Sequence, residues 1–381
     1  MPLAGDLTPL AAVRTKHARE EIVAEPAQDK SESKVARPAL RKIATEEAFS
    51  IPEHYEAIRS HAARGSDDPD LTLWRHFLGN SRPAFVDNLM DVDHQRLRTM
   101  DELDVSMHLL SLTSPGVQMF GADEATELAA LANDRLAEIK QRHPSRYAGL
   151  ASFAPQDPRR AALEMERAVR QLGLNGFVVN SHTNGEYLDE PKFRPILEAA
   201  ASLDAAIYIH PRVPPKPTAD LSVMYGLETG MWGYQTDVAL HALRLIYGRA
   251  FDDFPNLKIV LGHMGEGLPY WLWRLDYWHR NGGRRPALKR LPSEYIRDNF
   301  MITTSGMDWA PTLKFCLEVL GPDNIMFAID YPYQGPHLSV EFMNTVDIPD
   351  DVRAKIYHEN AERIFHIEPQ QPDAATAWVE A

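Results

Sequence analysis

The sequence predicts an α/β architecture, a (β/α)8 TIM-like barrel with long pocket-forming loops. Three observations lead there. Eight short apolar, β-branched runs recur along the chain, most of them separated by stretches with helical spacing. No GxGxxG follows the first run, so the rival doubly wound open sheet lacks its usual phosphate-binding turn. Conspicuous polar residues close several of the runs, at the strand ends where a barrel gathers its active site.

The first run is Lys42–Glu46 (KIATE). The interval 50–105 after it is longer than a minimal connection and is expected to form a pocket loop. Met107–Leu112 (MHLLSL) is the second run. Ala122–Lys140, which repeats Leu and Ala at helical spacing, leads to the third, Tyr147–Phe153. Asp157–Leu172 opens on Asp-Pro, an N-cap with a proline in the first helical position, and runs into Gly173. Leu174–Asn180 is the fourth run, followed by a helical pattern over Glu190–Leu203. Ala206–His210 is the fifth, and a second long interval, 211–235, precedes a helix over Thr236–Tyr247. Leu257–His263, Phe300–Ser305 and Ile325–Asp330 complete the set, with helices over Ala310–Leu320 and Asp350–Phe365. Each run has the length of a strand buried on both faces. The barrel is therefore expected over residues 41–368. Residues 1–40, with AEPAQDKSESKVARPAL and few large apolar side chains, predict a flexible tail, and 369–381 a loose end.

Composition excludes several classes of function. The chain carries 54 acidic against 40 basic residues, a net charge of -14, which opposes binding to a phosphate backbone and predicts no nucleic-acid partner. No apolar run approaches the ~20 residues of a membrane span, so no membrane partner is expected. Cys316 is the single cysteine and cannot form an internal disulfide, which fits a reducing, cytoplasmic location.

The strand ends carry the chemistry. Glu46 closes the first run, His210 the fifth and Asp330 the eighth. Period-two alternation places Glu46 on one face with Ala44 and Ala48, His210 with Ala206 and Tyr208, and Asp330 with Met326 and Ala328. Taken singly, each has an ordinary reading: a capping or ion-paired Glu, a His-Pro turn, an Asp that starts a turn. Together they converge on one point. Two carboxylates and an imidazole suit Zn²⁺, Mn²⁺ or Fe²⁺, with His263 nearby as a fourth candidate.

The segments IATEEAF, YIHPR, LGHMGEGLPYWLWRLD, ITTSG and MFAIDYPYQ resemble the signature segments of the decarboxylases in the amidohydrolase superfamily. That group includes the aminocarboxymuconate semialdehyde, γ-resorcylate, 2,3-dihydroxybenzoate and 5-carboxyvanillate decarboxylases. The resemblance spans about residues 42–366 and includes LTSPGVQ at 112–118, APQDP at 154–158 and NSHTNGEYLDEP at 180–191. It implies that Glu46, His210 and Asp330 are metal ligands, that Asp330 also transfers a proton, and that His263 and Glu266 form the HxxE pair beside the reacting carbon. It further implies that Arg274 enters a neighbouring subunit's site, that Tyr333 faces the substrate, and that Thr113 lies in a segment approaching the same pocket. Arg82 is a further candidate for binding a carboxylate. Two departures matter. Ala48 stands where many relatives have a second ligand, and Asn180 where binuclear hydrolases have a carbamylated lysine, so one divalent metal per subunit, Mn²⁺ or Zn²⁺, is expected.

The function expected is therefore a metal-dependent, non-oxidative decarboxylase of a small hydroxylated aromatic carboxylic acid. In it the metal chelates the substrate and Asp330 protonates the ring carbon. The alternative is a one-metal hydrolase or hydratase acting on an aromatic-degradation intermediate, which would incorporate water rather than release CO₂. The apolar stretch Leu268–Trp273 predicts a homodimer or homotetramer, unless it packs on its own barrel.

Overall fold

A computed structural model describes residues 40–78, 83–283 and 285–369. The expected tail at 1–40 and the loose end at 369–381 lie outside the described residues, apart from positions 40 and 369.

Eight strands are observed: β1 (Ile43–Phe49), β2 (Met107–Leu112), β3 (Tyr147–Ser152), β4 (Gly176–Asn180), β5 (Ile207–His210), β6 (Ile259–Leu261), β7 (Phe300–Thr303) and β8 (Ile325–Met326). They pair in parallel in the order of the chain, β1 to β8. The segment beyond β8 closes the ring on β1. Thr45 donates its N–H to Phe327 O (3.0 Å) and Ala48 its N–H to Tyr331 O (2.8 Å). The apolar runs are continuous because a barrel strand is covered on both faces, by side chains within and helices outside.

Inside the barrel, Ile43, Leu109, Leu150, Val178, Val260, Met301 and Met326 pack on one another. Ala361, Ile364, Phe365 and Ile367 join the same cluster and close the amino-terminal end of the barrel. The carboxyl ends of the strands are thus the open end, where the chemistry can sit.

Three local departures from the sequence expectation have physical causes. First, β1 carries a register shift between Ala44 and Glu47, so three residues on β1 match two on β2. Ala44 belongs to the outer layer and Ile43 to the interior. The bulge, and not simple alternation, turns Glu46 inward. Second, β8 ends at Met326 and not at Asp330. Beyond it the ladder partners are replaced: Phe327 N–H donates to Ile356 O (2.8 Å), Ala328 N–H to Thr304 Oγ1 (3.0 Å) and Ile329 N–H to Glu47 Oε1 (2.9 Å). Third, the interval 50–105 is mostly helical, with helices Pro52–Ala63, Leu71–Leu78, Pro83–Met90 and Gln95–Glu102. These helices are short, and two begin on a proline with none of the usual Ser, Thr, Asp or Asn caps before it, so the sequence offers little to mark them.

The longer helices follow the sequence closely. Ala122–Arg142 and Ala310–Leu320 lie where the spacing puts them. In Pro158–Arg170, Asp157 caps the first turn by accepting from the N–H groups of Arg159 and Arg160. The expected helix Asp350–Phe365 is divided by a π turn at Lys355–Glu359.

Candidate active site

Glu46, His210 and Asp330 offer ligand atoms that all lie within 4.8 Å of one another, and among the described residues no other group of His, Cys, Asp or Glu does so in the same way. Three barrel positions far apart in sequence deliver them: the bulge in β1, the last residue of β5 and the turn after β8.

The two oxygens of Glu46 have opposite surroundings. Oε2 accepts hydrogen bonds from the hydroxyls of Tyr208, Ser305 and Thr303, the last at 3.0 Å. Oε1 is buried and has no hydrogen-bond partner. It lies 3.6 Å from His210 Nε2 and 3.8 Å from His263 Nε2. Gly262, at the end of β6, lets the carboxylate sit here, since a Cβ there would stand 2.9 Å from both oxygens. Burial alone would push the Glu46 carboxyl up. The charges of His263 and His210, with the Ser305 and Tyr208 hydrogen bonds, outweigh it and hold the group below its usual range.

The imidazoles are fixed from behind. His210 Nδ1 meets Pro211 O at 2.8 Å, which sets the tautomer and leaves Nε2 facing Glu46. Burial pushes His210 down, towards the neutral form that a metal ligand needs. His263 Nδ1 meets Glu266 Oε1 at 2.8 Å. Burial would lower His263, but Glu266, Glu46 and Asp330 together raise it to about 10. Glu266 does not cap the next helix. The N-cap is Gly267, and the backbone from His263 to Gly267 runs through positive φ at every residue.

Asp330 also has positive φ, at 69°. Burial and the neighbouring Glu46 push its carboxyl well above the usual range. Glu47, outside the trio, brackets it: Oε1 accepts from Ile329 N (2.9 Å) and Oε2 from Tyr331 N (3.0 Å).

The donor set fits a divalent cation. Two carboxylates and a neutral imidazole converge, one carboxylate oxygen has no partner, and a backbone carbonyl orients the imidazole. At the β4 end, where a carbamylated lysine would hold a second metal, the buried Asn180 is tied to Gln118 (N to Oε1, 2.9 Å).

The remaining residues singled out in the sequence take different places. Thr113 Oγ1 and Tyr333 OH are 2.7 Å apart, and the Tyr333 ring meets Phe85 edge-on at 4.8 Å. Arg274 is exposed on helix Leu268–Asn281. Arg82 lies outside the described residues.

Several residues were not legible as site residues in the sequence. Tyr208, Thr303 and Ser305 surround Glu46, and their signal was only polar positions on strands that are otherwise apolar. Arg212, two residues after His210, is 1% exposed and pairs with Asp70 (Nε–Oδ2, 2.7 Å) and Asp68 (3.0 Å). It ties the 50–105 segment to the end of β5 and is fully engaged there. His54, pushed down to about 4 by burial, links Ser50 Oγ (3.0 Å) to Gly116 O (3.1 Å). A cavity of about 700 Å³ lies at the opposite end of the barrel, lined by Ser106, Met107, Tyr147, Ala148 and His366, away from the ligand trio.

The chain resembles known proteins over most of its length. The amidohydrolase family profile matches residues 74–367. The γ-resorcylate decarboxylase of a Polaromonas species is 36% identical over 296 residues, 75% of this chain and 90% of that protein. The crystal structure of 5-carboxyvanillate decarboxylase from Sphingomonas paucimobilis superposes with a TM-score of 0.84 at 50% identity, covering 86% of this chain and 100% of that one. The 5-carboxyvanillate decarboxylase of Novosphingobium aromaticivorans, solved with manganese and 4-hydroxy-3-methoxy-5-nitrobenzoic acid, gives a TM-score of 0.83 at 39% identity, covering 86% and 96%.

Proposed function

We infer that this chain, which belongs to the amidohydrolase family, is a metal-dependent decarboxylase of a hydroxylated aromatic carboxylic acid, a carboxy-lyase and not a hydrolase or hydratase. The observation that carries the reading is the meeting of Glu46, His210 and Asp330 at the open end of the barrel, beside the His263–Glu266 pair. The decarboxylases that the chain resembles support it.

In this reading one Mn²⁺ per subunit is held by Glu46, His210 and Asp330, a choice supported by the manganese in a similar structure. Bound there, such an ion would supply a Lewis acid for the oxygen atoms of the substrate. The chain's own residues do the rest. Asp330 gives a proton to the ring carbon that bears the carboxylate. Loss of CO₂ then returns the bonding pair to the ring and restores aromaticity, so one proton enters and one CO₂ leaves. His263, oriented by Glu266, faces the phenolic oxygen and handles its proton. The Thr113–Tyr333 pair contacts the ring substituents. Arg82 binds the carboxylate, and Arg274 of a neighbouring copy enters the same site.

A panel of ortho-hydroxybenzoates, including 5-carboxyvanillate and γ-resorcylate, tests the function. The Mn²⁺-loaded protein is expected to release CO₂ from at least one member, with no ¹⁸O from solvent water in the aromatic product. Incorporation of the label would instead identify a hydrolase or hydratase.

The oligomer follows from helix Leu268–Asn281. Leu268, Pro269 and Leu272 are buried against the barrel, whereas Tyr270, Trp271, Trp273, Tyr277 and Trp278 are exposed, with Trp273 at 74%. The own-barrel packing allowed by the sequence is therefore not observed for these aromatics. Trp273 stacks only on Tyr277 of its own helix, at 5.1 Å between centroids. Five exposed aromatic side chains on one helix predict burial against a second copy. Light scattering at micromolar concentration is expected to give a homodimer or homotetramer, and Trp273→Glu to shift it towards monomer. A wild-type monomer would remove this part of the reading.

A further inference from the structure

We propose that Tyr208, Thr303 and Ser305 hold Glu46 to ligation through one oxygen, and so keep room on the metal for the substrate. The inference rests on the reading of Glu46, His210 and Asp330 as the metal ligands.

The arrangement is asymmetric. All three hydroxyls reach Glu46 Oε2, and none reaches Oε1. A carboxylate oxygen offers about two lone-pair directions, so three donors leave Oε2 no free direction for a cation. The donors also pack against one another, and with each hydroxyl proton given to Oε2 these are close oxygen contacts and not further hydrogen bonds. Thr303 Oγ1 is 3.1 Å from Tyr208 OH and 2.9 Å from Ser305 Oγ, and Ser305 Oγ accepts the backbone N–H of His263 at 3.2 Å. Tyr208 comes from the interior face of β5, two residues before His210, and Thr303 and Ser305 from the end of β7. All are at most 1% exposed. Gly262 packs its backbone against the same carboxylate from β6, restricting its rotation. The cradle is thus rigid, dry and built from three strands around one oxygen, while Oε1 faces the ligand cluster.

The consequence concerns the substrate more than the metal. A carboxylate that chelates with both oxygens takes two positions on the ion, and one that binds through a single oxygen takes one. With Glu46 restricted, the trio takes three positions of a roughly six-coordinate Mn²⁺. The others remain for a substrate that must attach through two oxygens. The three hydroxyl residues are positioning residues, acting through Glu46.

The test uses the full chain, Mn²⁺, and 4-hydroxy-3-methoxy-5-nitrobenzoic acid as a probe that does not require turnover. The variants are Tyr208→Phe/Thr303→Val and Tyr208→Phe/Ser305→Ala, each of which removes two of the three donors, with Thr303→Ser as the variant that keeps the hydroxyl. Mn²⁺ affinity is read from the signal of free Mn²⁺ in electron paramagnetic resonance, and probe affinity from its absorbance on the loaded protein. Removing two donors together, in Tyr208→Phe/Thr303→Val or in Tyr208→Phe/Ser305→Ala, leaves Oε2 one partner and one free direction, so these double variants are expected to bind Mn²⁺ as tightly as wild type, within about threefold, or more tightly, because that oxygen can join the ion. Their affinity for the probe is expected to fall about tenfold or more, at the lower end of the usual effect of outer partners in metal sites. Thr303→Ser should match wild type in both. Unchanged probe affinity or weakened Mn²⁺ binding in the double variants, or a loss in Thr303→Ser equal to that in Tyr208→Phe/Thr303→Val, would each overturn the inference. Failure of wild type to bind Mn²⁺, or full binding by Glu46→Ala, would overturn the metal reading itself. Should one double variant not fold, the other carries the comparison.

Discussion

Asp330→Asn is expected to retain part of its Mn²⁺ while turnover falls by about 10² or more, the scale on which a general acid contributes. Asparagine offers an oxygen to a cation but has no acidic proton to give. The substitution is also well placed to leave the backbone undisturbed. The amides on either side of Asp330 are held by Glu47, at 2.9 Å from Ile329 N and 3.0 Å from Tyr331 N, and neither bond involves the side chain being changed. The positive φ of 69° at this position suits Asn as well as Asp. His263→Asn is the matched control. His263 Nε2 lies 3.8 Å from Glu46 Oε1 but is outside the ligand trio, so this variant should lose turnover with its metal content intact. Metal per subunit and the rate of CO₂ release, measured in both variants, separate the roles. An Asp330→Asn protein that keeps both metal and near-normal CO₂ release would show that Asp330 is not the acid, and would leave His263 as the candidate.

The sequence disclosed the barrel because its strands are short apolar runs and its major helices have clear periodicity and, at Asp157, a recognisable cap. It disclosed Glu46, His210 and Asp330 because charged or ligand-type residues are unusual at the ends of such runs. The reason given for their convergence was only partly right. Alternation places Tyr208 and His210 inward on β5 together, but Glu46 turns inward through a bulge, and no residue type at Thr45 or Glu46 announces a bulge in advance. Glu47 gives no sign of its role beside Glu46, although a second carboxylate in a buried strand requires a partner. That partner is a pair of backbone amides some 280 residues away, which no local pattern can reveal. The same holds for the hydroxyl cradle. Ser, Thr and Tyr occur in barrel strands for many reasons, and their meaning comes only from all three reaching one oxygen. The helices of 50–105 escape the sequence because runs of about eight residues, stabilised mainly by packing, carry little helical signal of their own.

His210→Ala is expected to weaken Mn²⁺ binding by more than about 10² and to abolish CO₂ release at micromolar Mn²⁺, with the fold intact. The metal effect follows from the donor count. His210 supplies the one nitrogen of the trio, and without it two carboxylates, one already restricted by three hydroxyls, must hold the ion. The intact fold follows from how little else the side chain does. β5 is held by its main-chain pairing with β4 and β6 and by Ile207, Tyr208 and Ile209 in the core, whereas the His210 ring bonds only to the neighbouring Pro211 carbonyl. Losing that bond costs about 1 kcal/mol, a small part of the stability of a domain this size. Thermal melting distinguishes the ligand from a packing residue. An ion that binds only the native state raises the melting temperature in proportion to its affinity. Added Mn²⁺ should therefore stabilise wild type and leave His210→Ala nearly unmoved, while the two proteins melt close together in the presence of a chelator. Equal stabilisation of both by Mn²⁺, or full metal occupancy in the variant, would remove His210 from the ligand set. The site would then have to be rebuilt around Glu46, Asp330 and His263, the other imidazole within 4 Å of Glu46 Oε1.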